Sequence, residues 1–129
     1  MPLPLAKRKC RLDIQPFINR IQSKEAVVGV IGLGYVGLPL MLAFCRHGFS
    51  VVGFDIDTTK TESLNRGESY FHHIPSKEVQ NSIDAGLFSC TTDFSRLAEV
   101  DAILICVPTP LDAKQEPDLS YVTSTGEAI

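Results

Sequence analysis

The sequence predicts an α/β fold built on a parallel β-sheet. The first observation is a set of short, apolar, β-branched segments, such as residues 26–31 and 50–54, typical of strands buried on both faces. The second is that segments with helical spacing of apolar residues separate these strands. The third is a glycine-rich turn at residues 32–37 between the first strand and the helix that follows it. Together they predict a Rossmann-like, doubly wound parallel sheet preceded by a short helix.

The length of 129 residues allows one hydrophobic core. We expect an N-terminal arm and short amphipathic helix in residues 1–25 and one domain in residues 26–129. No apolar run is long enough to span a membrane and no signal-peptide pattern opens the chain, so we expect a cytoplasmic protein with no membrane partner. Residues 1–25 contain six Lys and Arg and two acids, whereas the remainder contains six basic and thirteen acidic residues. This balance argues against a nucleic-acid partner, and the basic run at residues 7–11 is interpreted as part of a loose, solvated arm.

The four cysteines, Cys10, Cys45, Cys90 and Cys106, form no C-x-x-C pair. They are interpreted as structural thiols in a reducing compartment. The adjacent histidines His72-His73 are typical of a surface loop. The sequence therefore predicts no metal site.

The first half of the chain yields five elements in order. Apolar residues recur at helical spacing between residues 13 and 24, which predicts a short amphipathic helix. A buried strand at 26–31 leads through the glycine turn into a helix that has Pro39 in its first turn and ends near Gly48. A second strand follows at 50–54, and Asp57 is positioned to cap a helix over residues 58–65.

The second half alternates in the same way. After a loop at 67–75, Ser76 is predicted to cap a helix over 77–84, and residues 87–90 form a short third strand. Thr92 or Asp93 begins a brief helix through Leu97, and residues 101–107 form a strong fourth strand. A polar loop at 112–117 precedes a last helix, capped by Asp118 and cut short by the chain end.

The glycine turn has the spacing G-x-G-x-x-G at Gly32, Gly34 and Gly37. In such a turn the first glycine permits a sharp reversal, the second lets backbone amides approach a pyrophosphate, and the third lets the helix pack closely on the strand. The helix N-terminus adds free N–H donors and a partial positive charge. This pattern predicts a dinucleotide site.

An acid, Asp55, ends the second strand 18 residues after Gly37. A carboxylate there accepts hydrogen bonds from ribose hydroxyls and repels a 2′-phosphate, which favours NAD over NADP. Lys60 lies one helical turn further on, near the expected ribose edge. A methyltransferase that binds S-adenosylmethionine shares the acid, but such proteins usually have G-x-G-x-G, and Val36 occupies the third position here.

The fourth strand ends at Pro108-Thr109-Pro110. In a doubly wound sheet, ligands bind beyond the carboxyl ends of the strands, at the point where the strand order reverses. We therefore expect this turn to face the glycine turn across the site.

Seven segments in order carry a resemblance to a known family. They are VIGLGYVGLPL at 30–40, FDID at 54–57, LNRGESY at 64–70, HIPS at 73–76, TTDF at 91–94, ICVPTPL at 105–111 and PDLSYV at 117–122. Together they resemble the nucleotide-sugar dehydrogenases of the UDP-glucose/GDP-mannose dehydrogenase family. Within it, the combination of HIPS, CVPTPL and EPDLSYV is most similar to the UDP-N-acetylglucosamine 6-dehydrogenases, with UDP-glucose and UDP-N-acetylmannosamine dehydrogenases as alternatives.

The resemblance implies an NAD-binding domain, a central helix through which the family dimerises, and a sugar-binding domain. Such enzymes oxidise the C6 alcohol of a UDP-sugar to a carboxylate with two NAD, through a cysteine nucleophile, for polysaccharide precursor synthesis. None of the four cysteines here matches the motif of that nucleophile. The resemblance thus covers only the cofactor half: we expect no catalytic residue in this chain, no turnover by the fragment alone, and a homo-oligomer for the full-length parent.

The resemblance also implies roles for individual residues. The pyrophosphate loop corresponds to Gly32, Leu33, Gly34, Tyr35, Val36 and Gly37, ribose recognition to Asp55 and Lys60, and the nicotinamide side to Pro108 and Thr109. A stand-alone nucleotide-binding module without chemistry is the alternative from a different class. The fragment interpretation is favoured because the chain stops inside a predicted helix.

Overall fold

The computed structural model describes residues 12–129. The elements are helix α1 (Gln15–Gln22), strand β1 (Val27–Ile31), α2 (Gly37–Arg46), β2 (Ser50–Phe54), α3 (Thr58–Asn65), α4 (Ser76–Asp84), β3 (Phe88–Thr91), a 3-10 helix (Phe94–Glu99), β4 (Ala102–Ile105) and α5 (Ser120–Ala128). Residues 1–11 of the predicted N-terminal arm, with the basic run and Cys10, lie outside the described residues.

The four strands form one parallel sheet in the order β3-β2-β1-β4. Val28 pairs with Val51 on one side and with Ala102 on the other, so β1 lies between β2 and β4. The chain first adds strands on one side of β1 and then crosses to the other side. This confirms the predicted Rossmann-like parallel sheet and puts its topological switch point between β1 and β4.

Two apolar clusters cover the two faces of the sheet. On one face α2, α3 and α4 bury side chains such as Leu38, Met41, Leu64 and Val79 against β1 and β2. On the other face a smaller cluster forms around Phe54 and includes side chains of the 3-10 helix. Burial of each large aliphatic side chain contributes about 1.5–3 kcal/mol, so the first cluster is the main source of stability.

The helix caps agree with prediction at two positions and differ at two. Asp57 accepts from the Thr59 amide at 2.9 Å, and Asp93 accepts from the Ser95 amide at 3.0 Å. Ser76 is instead the first residue of α4, and its hydroxyl accepts from the Ser69 amide at 3.0 Å, across the preceding loop. Asp118 lies one residue before the capping position, although its carboxylate accepts from the Ser120 amide at 2.9 Å.

Strand β4 is shorter than predicted. It ends at Ile105, which pairs with Ile31, the last residue of β1. The Cys106 amide still donates to the Ile31 carbonyl at 2.7 Å, but β1 then turns away at Gly32. The ladder stops because the partner strand has ended, although the apolar sequence continues to Val107.

Helix α1 forms within the predicted segment but buries none of its residues. An ion pair of 2.9 Å between Arg20 and Asp101 links its last turn to the start of β4. Lys24, which follows the helix, places its ammonium 4.4 Å from the centre of the Phe49 ring. Within residues 12–129, none of the helices has both the length and the apolar character needed to cross a bilayer.

Candidate cofactor-binding site

A cavity of about 1130 Å³ opens at the carboxyl ends of the strands. Nine of the ten predicted site residues line it: Gly32, Leu33, Gly34, Tyr35, Val36, Asp55, Lys60, Pro108 and Thr109. The tenth, Gly37, is buried at the start of α2 behind this surface. The three sequence segments that were predicted to meet therefore do meet at one cavity.

The three glycines of the turn have different surroundings. Gly32 has φ +96°, and a Cβ there would lie 2.6 Å from the Cys106 carbonyl oxygen. A Cβ on Gly37 would lie 1.7 Å from the Gly32 carbonyl oxygen, so helix and turn meet backbone to backbone. A Cβ on Gly34 would meet nothing within 4 Å. Gly32 and Gly37 are thus required by the fold, whereas Gly34 keeps space open beside the cavity.

The four consecutive amides of residues 34–37, which lead into the first turn of α2, have no protein partner among the described residues, and the first three of these residues line the cavity. No acceptor in residues 12–129 receives a hydrogen bond from the amides of Gly34, Tyr35, Val36 or Gly37, and no side chain caps the helix. Unpaired N–H groups at a helix N-terminus, together with the positive end of the helix dipole, form an anion-binding surface. These donors can bind a pyrophosphate without a basic side chain.

Two backbone amides fix the orientation of the Asp55 carboxylate. Its Oδ2 accepts from the Leu33 amide at 2.9 Å, and its Oδ1 accepts from the Asp57 amide at 2.9 Å. An ionised carboxylate has about four acceptor positions, so these two bonds leave capacity for ligand hydroxyls. Asp55 can therefore accept from a ribose while it also holds the glycine turn in place.

Leu33 contributes to the site through its backbone. Its side chain is fully buried in the main apolar cluster, while its amide donates to Asp55. Its carbonyl accepts from the Tyr70 hydroxyl. Tyr35 and Val36, in contrast, expose 77% and 52% of their surface beside the cavity. These two are the side chains of the turn that a ligand can cover.

Lys60 lies on α3 and lines the same cavity as Asp55. Its ammonium is 6.0 Å from the centre of the Tyr70 ring. Within the described part of the chain, no carboxylate forms an ion pair with it. Its charge is available to a bound anion, and its partial exposure limits such a contact to about 1 kcal/mol.

The segment after β4 brings Pro108 and Thr109 beside the glycine turn. The hydrogen bond from Cys106 to Ile31 and the close approach of the Cys106 carbonyl to Gly32 hold this segment against the end of β1. Both Pro108 and Thr109 are exposed along the cavity. The Thr109 hydroxyl is therefore accessible to a ligand in the cavity.

Some lining residues were not predicted. Helix α5 supplies one wall through Tyr121, Ser124, Thr125 and Ala128, and Phe94 and Ile56 also line the cavity. The sequence indicates that α5 is a helix but contains no signal for what it packs against. Tyr70 was likewise missed as a support of the turn, although it lies inside the LNRGESY segment.

The three cysteines in the described part of the chain are free thiols whose pKa values are raised. Cys45 and Cys90 are buried free thiols. Burial raises the pKa of Cys90 to about 12, and the neighbouring Cys45 adds to that rise. Burial also raises the pKa values of Cys45 and Cys106. A thiol with a raised pKa holds little of the nucleophilic thiolate at neutral pH.

A family model for the NAD-binding domain of the UDP-glucose/GDP-mannose dehydrogenase family matches residues 26–129. Among curated relatives, UDP-N-acetyl-D-mannosamine dehydrogenase of Escherichia coli K12 is 38% identical over 108 residues, which cover 81% of this chain and 24% of that protein. UDP-N-acetyl-D-glucosamine 6-dehydrogenase of Pseudomonas aeruginosa is 34% identical over 106 residues, 82% of this chain and 24% of that protein.

Solved structures agree with this assignment. GDP-mannose dehydrogenase from Pseudomonas aeruginosa, solved as a ternary complex, superimposes with a TM-score of 0.74 at 30% identity, over 79% of this chain and 24% of that one. A UDP-glucose dehydrogenase from Pyrobaculum islandicum gives a TM-score of 0.75 at 30% identity, over 80% and 24%. The chain spans about a quarter of the length of these relatives. The chain therefore belongs to the UDP-glucose/GDP-mannose dehydrogenase family, and residues 26–129 match its NAD-binding domain.

Proposed function

We propose that NAD binds along this cavity in a defined direction. Its pyrophosphate lies on the turn formed by Gly32, Leu33, Gly34, Tyr35, Val36 and Gly37. Its adenosine ribose lies at Asp55 with Lys60 beside it, and its nicotinamide end lies at Pro108 and Thr109. The observation that carries this proposal is the row of four unpaired amides, with the anchored Asp55 carboxylate and the segment after β4 at the same cavity.

The same arrangement supports a preference for NAD over NADP. The Asp55 carboxylate is held by two amides, so it has little freedom to turn away from an added 2′-phosphate. Two negative charges in contact repel each other strongly at a partly buried site. Lys60 offers one compensating charge, but its flexible side chain is partly solvated.

For the full-length parent we propose oxidation of the C6 alcohol of a UDP-hexose to the uronic acid, to supply polysaccharide synthesis. The alcohol loses one hydride to form an aldehyde, and the thiol of a cysteine nucleophile adds to that aldehyde. The adduct loses the second hydride to give a thioester, which water hydrolyses to the carboxylate with return of the thiol. Two NAD are reduced and three protons are released per sugar. In this scheme, residues 26–129 bind and orient the cofactor, and a further domain supplies the sugar site and nucleophile.

The first candidate for the sugar is UDP-N-acetylglucosamine, because the segments HIPS, CVPTPL and EPDLSYV resemble the dehydrogenases of that substrate. UDP-N-acetylmannosamine is the second candidate, because the Escherichia coli relative with that activity in its name is 38% identical. We also propose that the parent is a homo-oligomer, as the family resemblance implies. A stand-alone nucleotide-binding module remains the alternative from a different class.

Calorimetric titration of the 129-residue chain tests the cofactor proposal. We expect NAD and NADH to bind, and NADP to bind at least tenfold more weakly. Asp55→Asn removes the charge while it keeps an acceptor oxygen, so this variant should narrow the difference between the cofactors. Equal or tighter binding of NADP by the unmodified chain would show that Asp55 does not face the ribose.

Turnover by the parent protein tests the proposed oxidation of a UDP-hexose. We expect two NADH per UDP-N-acetylhexosamine consumed, and higher kcat/KM for the gluco than for the manno epimer. Release of one NADH and an aldehyde would exclude the four-electron reaction. NADH formation from a UDP-hexose by the 129-residue chain alone would contradict the assignment of this chain as the cofactor half.

A further inference from the structure

Tyr70 connects a distant loop to the glycine turn. It lies between α3 and α4, 37 residues after Leu33, and its hydroxyl donates to the Leu33 carbonyl oxygen. Its ring is partly buried beside that of Phe71, with centroids 4.9 Å apart. Tyr70 is not among the residues that line the cavity, whereas Leu33, which it contacts, is one of them.

The planarity of the peptide bond makes this contact directional. The Leu33 carbonyl and the Gly34 amide belong to the same trans peptide unit, so their C=O and N–H bonds point in opposite directions. A hydrogen bond that fixes the carbonyl therefore also fixes the N–H. The preceding peptide unit is fixed in the same way, because the Leu33 amide donates to Asp55. The two peptide units that flank the Leu33 side chain are thus each held by a side chain from another element.

We propose that Tyr70 is a positioning residue for NAD, whose hydroxyl holds the Leu33-Gly34 peptide so that the Gly34 amide points at the pyrophosphate. This inference rests on the proposed NAD site. A donor that is already oriented costs no reorganisation when the ligand binds, whereas a free peptide must be ordered at that moment. Loss of the hydroxyl should therefore weaken ligands that carry a pyrophosphate and spare those that do not.

The surroundings of Tyr70 suit this role. The Ser69 amide donates to Ser76, and the Ile74 amide donates to the Phe71 carbonyl at 3.2 Å, so the loop is folded on itself. Burial, and next the charge of Asp55, raise the pKa of Tyr70, so the phenol stays protonated and able to donate. The Lys60 ammonium lies 6.0 Å from the centre of the Tyr70 ring, and a phenylalanine at this position keeps that ring.

The test compares Tyr70→Phe with a matched control, Ser82→Ala. Ser82 is buried, and its hydroxyl, like that of Tyr70, donates to a backbone carbonyl, that of Glu78 at 3.0 Å, but Ser82 does not line the cofactor cavity. ADP and adenosine are titrated into the 129-residue chain and followed by amide NMR spectra. We expect Tyr70→Phe to weaken ADP by about threefold to tenfold and adenosine by less than twofold, because the net worth of a neutral hydrogen bond is at most about 1.5 kcal/mol, which corresponds to about tenfold in affinity. Ser82→Ala should leave both affinities unchanged.

A ligand-free measurement completes the test. The ¹⁵N shift of Gly34 reports on the hydrogen bond to the carbonyl in the same peptide unit, and we expect it to move in Tyr70→Phe and not in Ser82→Ala. An unchanged Gly34 shift, unchanged ADP affinity, or equal losses for ADP and adenosine would each overturn the positioning role. If the unmodified chain binds neither NAD nor ADP, the proposed function fails, and the Gly34 shift still decides whether Tyr70 holds the turn.

Discussion

Gly34 and Gly37 lie three residues apart, and neither has a Cβ. The same substitution, to alanine, should lower stability at Gly37 and NAD affinity at Gly34. A Cβ on Gly37 would lie 1.7 Å from the Gly32 carbonyl oxygen. The normal separation of such atoms is about 3.3 Å, so the helix or the turn must shift by well over 1 Å. A Cβ on Gly34 meets nothing within 4 Å, and its φ lies outside the left-handed region, so alanine fits the folded chain.

The two magnitudes follow from these contacts. In Gly37→Ala, α2 must move away from the turn, which disturbs the packing of Leu38 and Leu42 in the main apolar cluster. We expect a loss of about 3 kcal/mol or more in the free energy of unfolding, and a fall in Tm of about 10 °C or more. Gly34→Ala should change the free energy of unfolding by less than about 1 kcal/mol, because the methyl group meets no protein atom and alanine restricts the unfolded chain. Its methyl group should weaken NAD by at least about tenfold, or about 1.4 kcal/mol.

Thermal and urea unfolding, followed by circular dichroism, measure the first effect, and calorimetric titration with NAD measures the second. The two variants serve as controls for each other, since they add the same methyl group to the same turn. A Gly37→Ala chain with an unchanged Tm would refute the close backbone packing of α2 on the turn. A folded Gly34→Ala chain that binds NAD as tightly as the original would refute the placement of the pyrophosphate.

Two further predictions concern the nicotinamide end and the core. In the full-length parent, Thr109→Val should mainly lower kcat, because it disturbs the end of the cofactor at which hydride is transferred. Lys60→Ala should mainly raise the KM for NAD, because it removes a partly solvated contact. Steady-state kinetics measure both effects, and the reverse pattern would show that the Pro108-Thr109 turn does not lie at the nicotinamide end. Burial raises the pKa of Cys90 from 9.0 to about 12, so the folded chain favours the protonated thiol. The stability that this thiol contributes is complete below pH 9 and is lost as the pH rises towards 12. Urea unfolding at pH 8 and pH 10.5 should show this loss, and Cys90→Ala should show a smaller one; an equal loss in both chains would mean that Cys90 is not the group responsible.

Local patterns of the sequence were sufficient for the order of the strands and helices and for the type of site. Strands and helices differ in the period of their apolar residues, which neighbours along the chain reveal. The roles of Gly32 and Gly37 follow from the spacing of the turn. A strand that reverses into a helix within a few residues needs glycine at the reversal and at the close contact of the helix with the turn. Asp55 could be predicted because it directly follows a parallel strand. It therefore lies at the carboxyl edge of the sheet, where ligands bind.

Tertiary contacts decided features that no local pattern contains. The end of β4 depends on where β1 stops pairing, and not on the apolar residues Cys106 and Val107. The hydroxyl of Ser76 satisfies the Ser69 amide, because the loop before α4 closes on itself and so competes with the expected cap. These outcomes are competitions between local and non-local hydrogen bonds, and the sequence shows only the local partners.

The types and spacing of nearby residues are enough to predict the Rossmann-like α/β class, the glycine turn and the position of Asp55. Two other features, the wall that α5 forms at the cavity and the hydrogen bond from Tyr70 to the Leu33 carbonyl, come from contacts that no local pattern shows. Each of these contacts joins residues far apart in the chain, and its existence depends on how the loops bring helices to the edge of the sheet. Spacing along a chain records periodicity, whereas contact between distant residues is set by the packing of the whole core.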